Sequence, residues 1–554
     1  MKKIQKVKDF VLSHPDLFIL FGLTLIFYLI FFYGIGNYAL MDVDESRYVS
    51  MAKDMFHTKD YMTLYLNHEY FFEKPPLYFW GECLSFALFG KVTEFTARFP
   101  VALYGASCCY LLYFMGRKVV SRSYGVISAL ILATSLEFIM LAKFAILDIV
   151  VSTCIAFSVC LGICTHFCRE SHRKYFWWLF YAFSGLAVMA KGIPGFVVPF
   201  GTMFFISIFS KRFKEVFTPV YIIPGMILFL LITLPWHILM FKTYDPLFWN
   251  EYIIKHHLAR FLGSSVINRK QPFYFYFITI LWGFFPWIFS CLTVWIKQIV
   301  QLVKEKSFKF DYEKMTNPER YLLYNIIAAL FILMFFTSSE TKLITYILPI
   351  YVPMACVGAF VWEKYIFKKE NESLINKTIY FLGGIFILTS IAGLLTPLYL
   401  PAQLCSDISS IRMFCILATF AVGLASILFV KRKLYVCVFA SYVLFMAAVS
   451  GFATDNFFEI DYKFGQDDLM MFADYANKKN VALTTFNFGH KYCLLYYGDE
   501  DVTFGPGMEP KDLPKELKKK NHMVIIKIKE MKDFKGVKYN IVEQGRRYAL
   551  IDEK

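Results

Sequence analysis

Charge is scarce in this sequence. Asp, Glu, Lys and Arg supply 18% of its 554 residues, while hydrophobic residues supply 57%. A chain of this length would otherwise make several soluble domains, and the shortage of charge excludes them in favour of a protein embedded in a bilayer. A disulfide framework is missing too, because most of the 13 cysteines fall within apolar runs and the segment after Asp455 has only Cys493. Cys160, Cys164 and Cys168 share one helical stripe, which small residues at a helix contact explain better than a metal does. The same C-terminal segment lacks a phosphate-binding glycine loop, zinc-ligand spacing and a serine-histidine arrangement, so no nucleotide cofactor is expected.

What is present is a succession of apolar runs from Leu17 to Met446, each long enough to cross a hydrocarbon layer of roughly 30 Å, and about thirteen spans are expected. The first, Leu17 to Tyr33, follows Lys2, Lys3, Lys6 and Lys8 but is not followed by a small-residue cleavage site, so it reads as a retained span. Alternate connectors carry the basic residues, among them Arg117, Lys118 and Arg122, then Lys211, Arg212 and Lys214, and finally Lys431, Arg432 and Lys433. The opposite connectors are poorer in them, and Tyr399 to Ile411 has none. This asymmetry puts the amino terminus on the cytoplasmic side and, with an odd number of spans, the C-terminal segment outside. That segment holds 17 basic and 17 acidic residues, so the net charge of +15 resides in the membrane part. It reflects topology and membrane lipid, not nucleic acid.

The expected organisation is a transmembrane domain over 1–452 with two long outward loops, 34–98 and 242–272, followed by a small α/β domain over 453–554. Loops of that length are usually functional. In the first loop, Tyr48, Met51, Ala52, Met55 and Phe56 form a helical apolar stripe with Arg47, Lys53 and Asp54 off it, which suggests a helix lying on the membrane surface. A second helix is expected to start at Pro75 or Pro76 and to end at Gly90. In the C-terminal segment, Asp467 to Lys479 reads as a helix, and Val481 to Phe488 and Met523 to Ile528 read as strands.

Rare polar residues cluster on the outward side. Asp44-Glu45 opens the first loop helix, with Arg47 and Tyr48 close behind. Asp44 suits a helix cap, and equally a base or an acceptor-orienting carboxylate. Lys74 precedes two prolines, which stiffen its backbone and suit a phosphate-binding cation, although a lysine snorkelling at the interface is the simpler alternative. Asp148 lies among apolar residues and would cost roughly 2.5 to 3.5 kcal/mol in mid-bilayer, so it belongs at a span end. The second loop adds His256, His257 and Arg260. Arg260 suits a phosphate clamp, and Glu73 with His257 supplies two donors for a divalent metal such as zinc or magnesium. Glu340-Thr341-Lys342 and Tyr346 add a cation and a phenol to the same face.

Taken in order, Asp44-Glu45-Ser46-Arg47-Tyr48, Phe72-Glu73-Lys74-Pro75-Pro76-Leu77, Leu88-Phe89-Gly90, Ala97-Arg98-Phe99-Pro100, Leu147-Asp148, Ala190-Lys191-Gly192, Leu234-Pro235-Trp236, His257 with Arg260-Phe261, and Lys342 with Tyr346-Ile347-Leu348 resemble the bacterial aminoarabinose transferases of lipid A. Those in turn are similar to the protein O-mannosyltransferases among the C-type, lipid-donor glycosyltransferases. The resemblance covers the membrane region and is faint in the C-terminal segment. It implies an all-α polytopic fold of the C type and inverting transfer of a sugar from undecaprenyl phosphate to lipid A or another outer-leaflet acceptor, at the periplasmic face of a bacterial inner membrane. It also implies catalytic roles for Asp44, Asp148 and Lys74. Substrate binding would fall to Glu45, Arg47, Tyr48, Arg260, Lys342 and Tyr346, and metal binding to Glu73 and His257. Phe71 and His256 depart from the usual tyrosine and glutamate, which bears on the identity of the sugar. Transfer to protein hydroxyls or another glycolipid is the nearest alternative. A carrier would instead line a midplane path with its charges and carry inverted repeats, and the sequence has no such repeat.

The charge asymmetry yields a direct test. A reporter active only outside the cytoplasm should work when fused after Ala453 and stay silent when fused after Lys433; the opposite pattern would invert every outward assignment above.

Overall fold

The computed structural model describes residues 14–216, 218–259, 270–305, 312–399, 408–464, 466–534 and 537–553. Lys2, Lys3, Lys6, Lys8, Arg260, Phe261 and most of the connector from Tyr399 to Ile411 lie outside the described residues. The chain forms two compact units. A membrane unit comprises Met1–Tyr33, Val101–Lys143 and Leu147–Ala453, and a loop unit comprises Gly34–Pro100, Phe144–Ile146 and Thr454–Lys554. The first long loop and the C-terminal segment thus belong to one body, where the sequence suggested a loop and a separate domain.

In the membrane unit the expected runs are helical. Among the described residues, nine helices are long and apolar enough to cross a membrane, from Pro15–Phe32 to Tyr435–Asn456. The four remaining runs take other forms. Arg122–Ala133 is followed by the short helix Leu136–Leu141; Glu170–Lys191 carries Arg173 and Lys174 in its first turns; Pro194–Phe209 is short; and Phe275–Gly283 is parted from Ile288–Glu305 by Pro286. Proline cannot donate to a helix ladder, so an apolar run there is delivered in two pieces. Close helix contacts depend on small residues. Ser158 and Ser184 bond across Leu147–Cys164 and Glu170–Lys191 at 2.7 Å, and a Cβ added at Gly423 would lie 2.8 Å from the Gly383 carbonyl oxygen.

In the loop unit, the helix Asp44–Thr58 buries Tyr48, Val49, Met51, Ala52 and Met55. This stripe does not lie on a membrane surface as its periodicity suggested: Tyr48 packs on Tyr78 and Phe79, and Phe56 on Phe86, all from the helix Leu77–Phe89. Amphipathic spacing specifies a buried face, not what covers it. Gly90, at φ +68°, ends the second helix in the left-handed region that glycine adopts without strain.

The anchor of this unit is Arg98, buried near the start of the helix Glu94–Val119. Its Nε and Nη2 donate to the two oxygens of Glu45 at 2.7 and 2.8 Å. The rest of the guanidinium donates to the carbonyls of Ile35, Tyr38 and Ala39 at 2.7 to 2.8 Å. Glu45 in turn accepts from the backbone amides of Met41 and Ala145, both at 2.7 Å. Burying two ions costs several kcal/mol each, and only complete pairing of this kind offsets it.

The C-terminal segment folds as the helix Gln466–Lys479 over a five-stranded sheet. With the short hairpin β1 (Tyr65–Leu66) and β2 (Glu69–Tyr70) preceding them, its strands are β3 (Ala482–Phe486), β4 (Val502–Gly505), β5 (His522–Lys527), β6 (Tyr539–Gln544) and β7 (Tyr548–Glu553), in the order β4-β3-β5-β7-β6. β3 runs parallel to β4 and β5, and β7 pairs antiparallel with β5 and β6. Leu469 and Phe472 of the helix join Leu483, Ile525 and Leu550 of the strands in one core. Asp468 accepts the amides of Arg546, Arg547 and Tyr548 at 2.8 to 3.1 Å, closing the β6–β7 turn. This body grips the loop: Lys53 donates to the Tyr496 carbonyl and pairs with Asp499, both at 3.0 Å, and Asn67 donates to the Val502 carbonyl at 3.0 Å.

Breaking the buried pair leaves a lone ion in an apolar setting. Arg98→Ala and Glu45→Ala are each expected to destabilise the loop unit by about 3–5 kcal/mol. The double variant Glu45→Leu/Arg98→Met should be less damaged than the sum of the two singles. Thermal unfolding of the purified protein measures this, and single variants costing under about 1 kcal/mol would remove the anchor role.

Candidate active site

In the loop unit, Arg47, Tyr48, Phe71 and Tyr492 gather at the start of the helix Asp44–Thr58. Asp44 is not its cap; Val43 holds that position, and Asp44 lies in the first turn, where the helix macrodipole favours a carboxylate. The Asp44 side chain is 59% exposed and accepts from Arg47 Nη2 at 2.8 Å. The same nitrogen reaches the Tyr48 hydroxyl at 3.1 Å. Three aromatic rings surround the Arg47 guanidinium, those of Tyr48 at 4.9 Å and of Phe71 and Tyr492 at 5.9 Å. Burial opposes the charge on Arg47, but the Tyr48 phenol and the Asp44 and Glu73 carboxylates outweigh it and hold its pKa above the ordinary value. Arg47 Nε is buried with no hydrogen-bond partner among the described residues.

Phe72-Glu73-Lys74 leads into the helix Leu77–Phe89, which starts just after the two prolines. Lys74 is only 7% exposed, so its ammonium does not reach out to solvent as a snorkelling lysine would. Glu45, expected to bind substrate, is 2% exposed and committed to Arg98 and two backbone amides. Two adjacent acids on a helix face in different directions, and here Glu45 is buried while the Asp44 side chain is 59% exposed.

In the membrane unit, Asp148 lies in the first turn of Leu147–Cys164, at the helix end where the cost of burying it demanded it be. Its carboxylate pairs with Lys191, the last residue of Glu170–Lys191. Lys191 Nζ also lies 4.2 Å from the Tyr346 ring centroid, a cation–π contact that fixes the ammonium between a carboxylate and a phenol. Gly192 at φ +81° turns the chain at once after it. Lys191 stands in Ala190-Lys191-Gly192 but was not singled out from the sequence, where it resembles any basic residue ending a span. Lys342 is buried and donates to the carbonyls of Ser339 and Gln271 at 2.5 and 3.2 Å, so it braces a turn. Nearby in sequence to the second loop's histidines, Glu251 pairs with Lys255 at 2.8 Å and lies 3.6 Å from His256. The His257 side chain and all of Arg260 lie outside the described residues.

Glu73 and His257 amount to two donors, whereas zinc is held by three or four. Among the described residues no group of three or more His, Cys, Asp and Glu side chains gathers as a metal site would.

Residues 17–268 match the family described as dolichyl-phosphate-mannose-protein mannosyltransferase. An uncharacterized protein of Aquifex aeolicus is 30% identical over 366 residues, covering 66% of this chain and 67% of that protein. The undecaprenyl phosphate-alpha-4-amino-4-deoxy-L-arabinose arabinosyl transferase of Yersinia pestis is 27% identical over 341 residues, 61% of this chain, and the match spans 58% of that transferase. ArnT from Cupriavidus metallidurans bound to undecaprenyl phosphate has the same fold, with a TM-score of 0.78 at 18% identity over 97% of this chain and 98% of that one. The chain is a multi-pass membrane protein and belongs to the lipid-donor glycosyltransferase family that the dolichyl-phosphate-mannose-protein mannosyltransferases represent.

Proposed function

We propose that the protein is an inverting transferase that moves a sugar from undecaprenyl phosphate to a phosphate of lipid A at the periplasmic face of the inner membrane. The observation that carries this reading is Asp44, an exposed carboxylate presented by a helix whose other face is buried and held in place by Arg47. The names of the Yersinia and Cupriavidus relatives support the donor, and the basic asymmetry of the connectors supports the side of the membrane.

The reaction breaks the bond between the sugar's anomeric carbon and the donor phosphate, and the electron pair leaves with the phosphate. Positive charge develops on the sugar while negative charge grows on the leaving group. Lys74 and Arg260 are assigned to the leaving phosphate, where a positioned cation acts electrostatically in a setting drier than water. Asp148, held by Lys191, is assigned to the developing positive charge. The acceptor oxygen attacks from the opposite face, so the configuration inverts. A phosphate acceptor is already an anion and needs no base, and Asp44 then orients it with Arg47. With a hydroxyl acceptor, Asp44 takes the proton as general base. Tyr48 and Tyr346 hold the two cations, Arg47 and Lys191, in position.

Sugar transfer by the detergent-purified protein, with an undecaprenyl-phosphate sugar as donor and lipid A, a second glycolipid and a hydroxyl-bearing peptide offered separately, tests this reading. Product on lipid A is expected. Product on peptide alone would move the acceptor to protein hydroxyls, and no product on any acceptor with authentic donor present would end the transferase reading.

Two sets of variants follow from the assigned roles. Asp44→Asn and Asp148→Asn should each lower transfer by about 10²- to 10⁴-fold while preserving folding, since the amide keeps the size of the carboxylate. Lys74→Ala should lower it by about 10²- to 10³-fold, and Lys74→Arg should rescue poorly because a planar fork does not replace a point charge. Near-normal activity in Lys74→Ala would remove the phosphate-binding role.

A further inference from the structure

The C-terminal segment has no catalytic motif of its own, yet it reaches the first turn of the helix that carries Asp44. Asp42, two residues before Asp44, is the meeting point. Its Oδ1 accepts the Cys493 backbone amide at 3.1 Å and the Ser46 hydroxyl at 2.7 Å, and its Oδ2 lies 3.5 Å from Lys491 Nζ. The amide of Asp42 donates to Gln466 Oε1 at 3.3 Å. The Tyr497 hydroxyl accepts the Leu40 amide at 2.9 Å and donates to Glu94 at 3.0 Å. Tyr492 takes one face of the Arg47 guanidinium at 5.9 Å, and its ring stacks on His490 with centroids 5.6 Å apart and planes inclined by 6°. Leu40, Asp42 and Arg47, on either side of Asp44, are therefore tied to the C-terminal segment through a backbone amide, a carboxylate and an aromatic face.

We infer that the C-terminal segment is a component of the transferase site, with Asp42 and Tyr492 acting as positioning residues that aim Asp44 and Arg47. The inference rests on the role proposed above for Asp44. Asp42 ties the helix start to the backbone at Cys493, so the carboxylate of Asp44 leaves the helix in one direction. Tyr492 lies against Arg47, its ring centroid 5.9 Å from the guanidinium whose Nη2 holds Asp44. A positioned group acts through geometry, and a displacement of about 1 Å is enough to cost on the order of 10²-fold in rate. Neither Asp42 nor Tyr492 needs to touch the substrate for this.

Full-length Asp42→Asn, Tyr492→Leu and Tyr492→Phe distinguish positioning from bulk stability. Asp42→Asn and Tyr492→Leu are expected to lower kcat 10- to 100-fold with the donor KM within about threefold, and Tyr492→Phe, which keeps the ring over Arg47, to stay within about threefold of wild type. Amide hydrogen exchange followed by mass spectrometry gives a readout that needs no turnover: residues 42–48 should exchange at least tenfold faster in Asp42→Asn and Tyr492→Leu, while the core strand β5 keeps its protection. Unchanged exchange at 42–48 would overturn the inference, as would loss of protection throughout the C-terminal sheet or Tyr492→Phe as impaired as Tyr492→Leu. A wild type that makes no product while the exchange pattern appears as described would sink the transferase reading and leave the brace standing.

Discussion

A guanidinium offers five N–H donors in a rigid plane, and inside a protein each must find an acceptor or cost free energy. Arg98 meets that demand with both oxygens of Glu45 and with three backbone carbonyls from residues 35–39. The bonds do more than neutralise a charge. They fix the course of the chain between the first span and the helix Asp44–Thr58, and through Ala145 they fix a second stretch of backbone. Because the pair engages Glu45, the neighbouring Asp44 must point elsewhere, and it points outward. The orientation of a catalytic candidate thus follows from the satisfaction of a buried cation next door.

Legibility in the sequence followed the range of the interactions involved. Asp148 was placed at a helix end because a carboxylate in hydrocarbon is expensive, and that argument needs only its neighbours in the chain. Lys74 was visible from two adjacent prolines. Gly90 and the C-terminal helix, found at Gln466–Lys479, were likewise local signals. What escaped were pairings across long separations. Nothing local distinguishes Glu45 from Asp44, and only Arg98, far along the chain, decides which acid is buried. Lys191 looks like a terminal basic residue until Asp148 and Tyr346 flank it. The apolar stripe at Tyr48, Met51 and Met55 announced a covered face, but a membrane and the helix Leu77–Phe89 would leave the same pattern.

The two carboxylates expected to act in transfer are built alike. Each occupies the first turn of a helix, each is paired with a cation, and each cation rests against a tyrosine ring. Their surroundings differ in exposure. The Asp44 side chain is 59% exposed and that of Asp148 13%, which accords with the roles proposed for them, the first toward a mobile acceptor and the second toward a charge that forms only during reaction. Electrostatic stabilisation is strongest where water is excluded.

The loop unit is assembled from three stretches, Gly34–Pro100, Phe144–Ile146 and Thr454–Lys554. At about 5–20 residues per second, the ribosome takes roughly 20 to 70 seconds to make the chain between the first stretch and the last. Throughout that interval the helix bearing Asp44 has been translated without Cys493, Tyr492 or Tyr497 to receive it. Most helices of the membrane unit emerge within that interval, and the residues that brace the helix bearing Asp44 follow them. A premature stop between Phe464 and β3 would therefore leave the membrane helices complete and the helix bearing Asp44 without its partners.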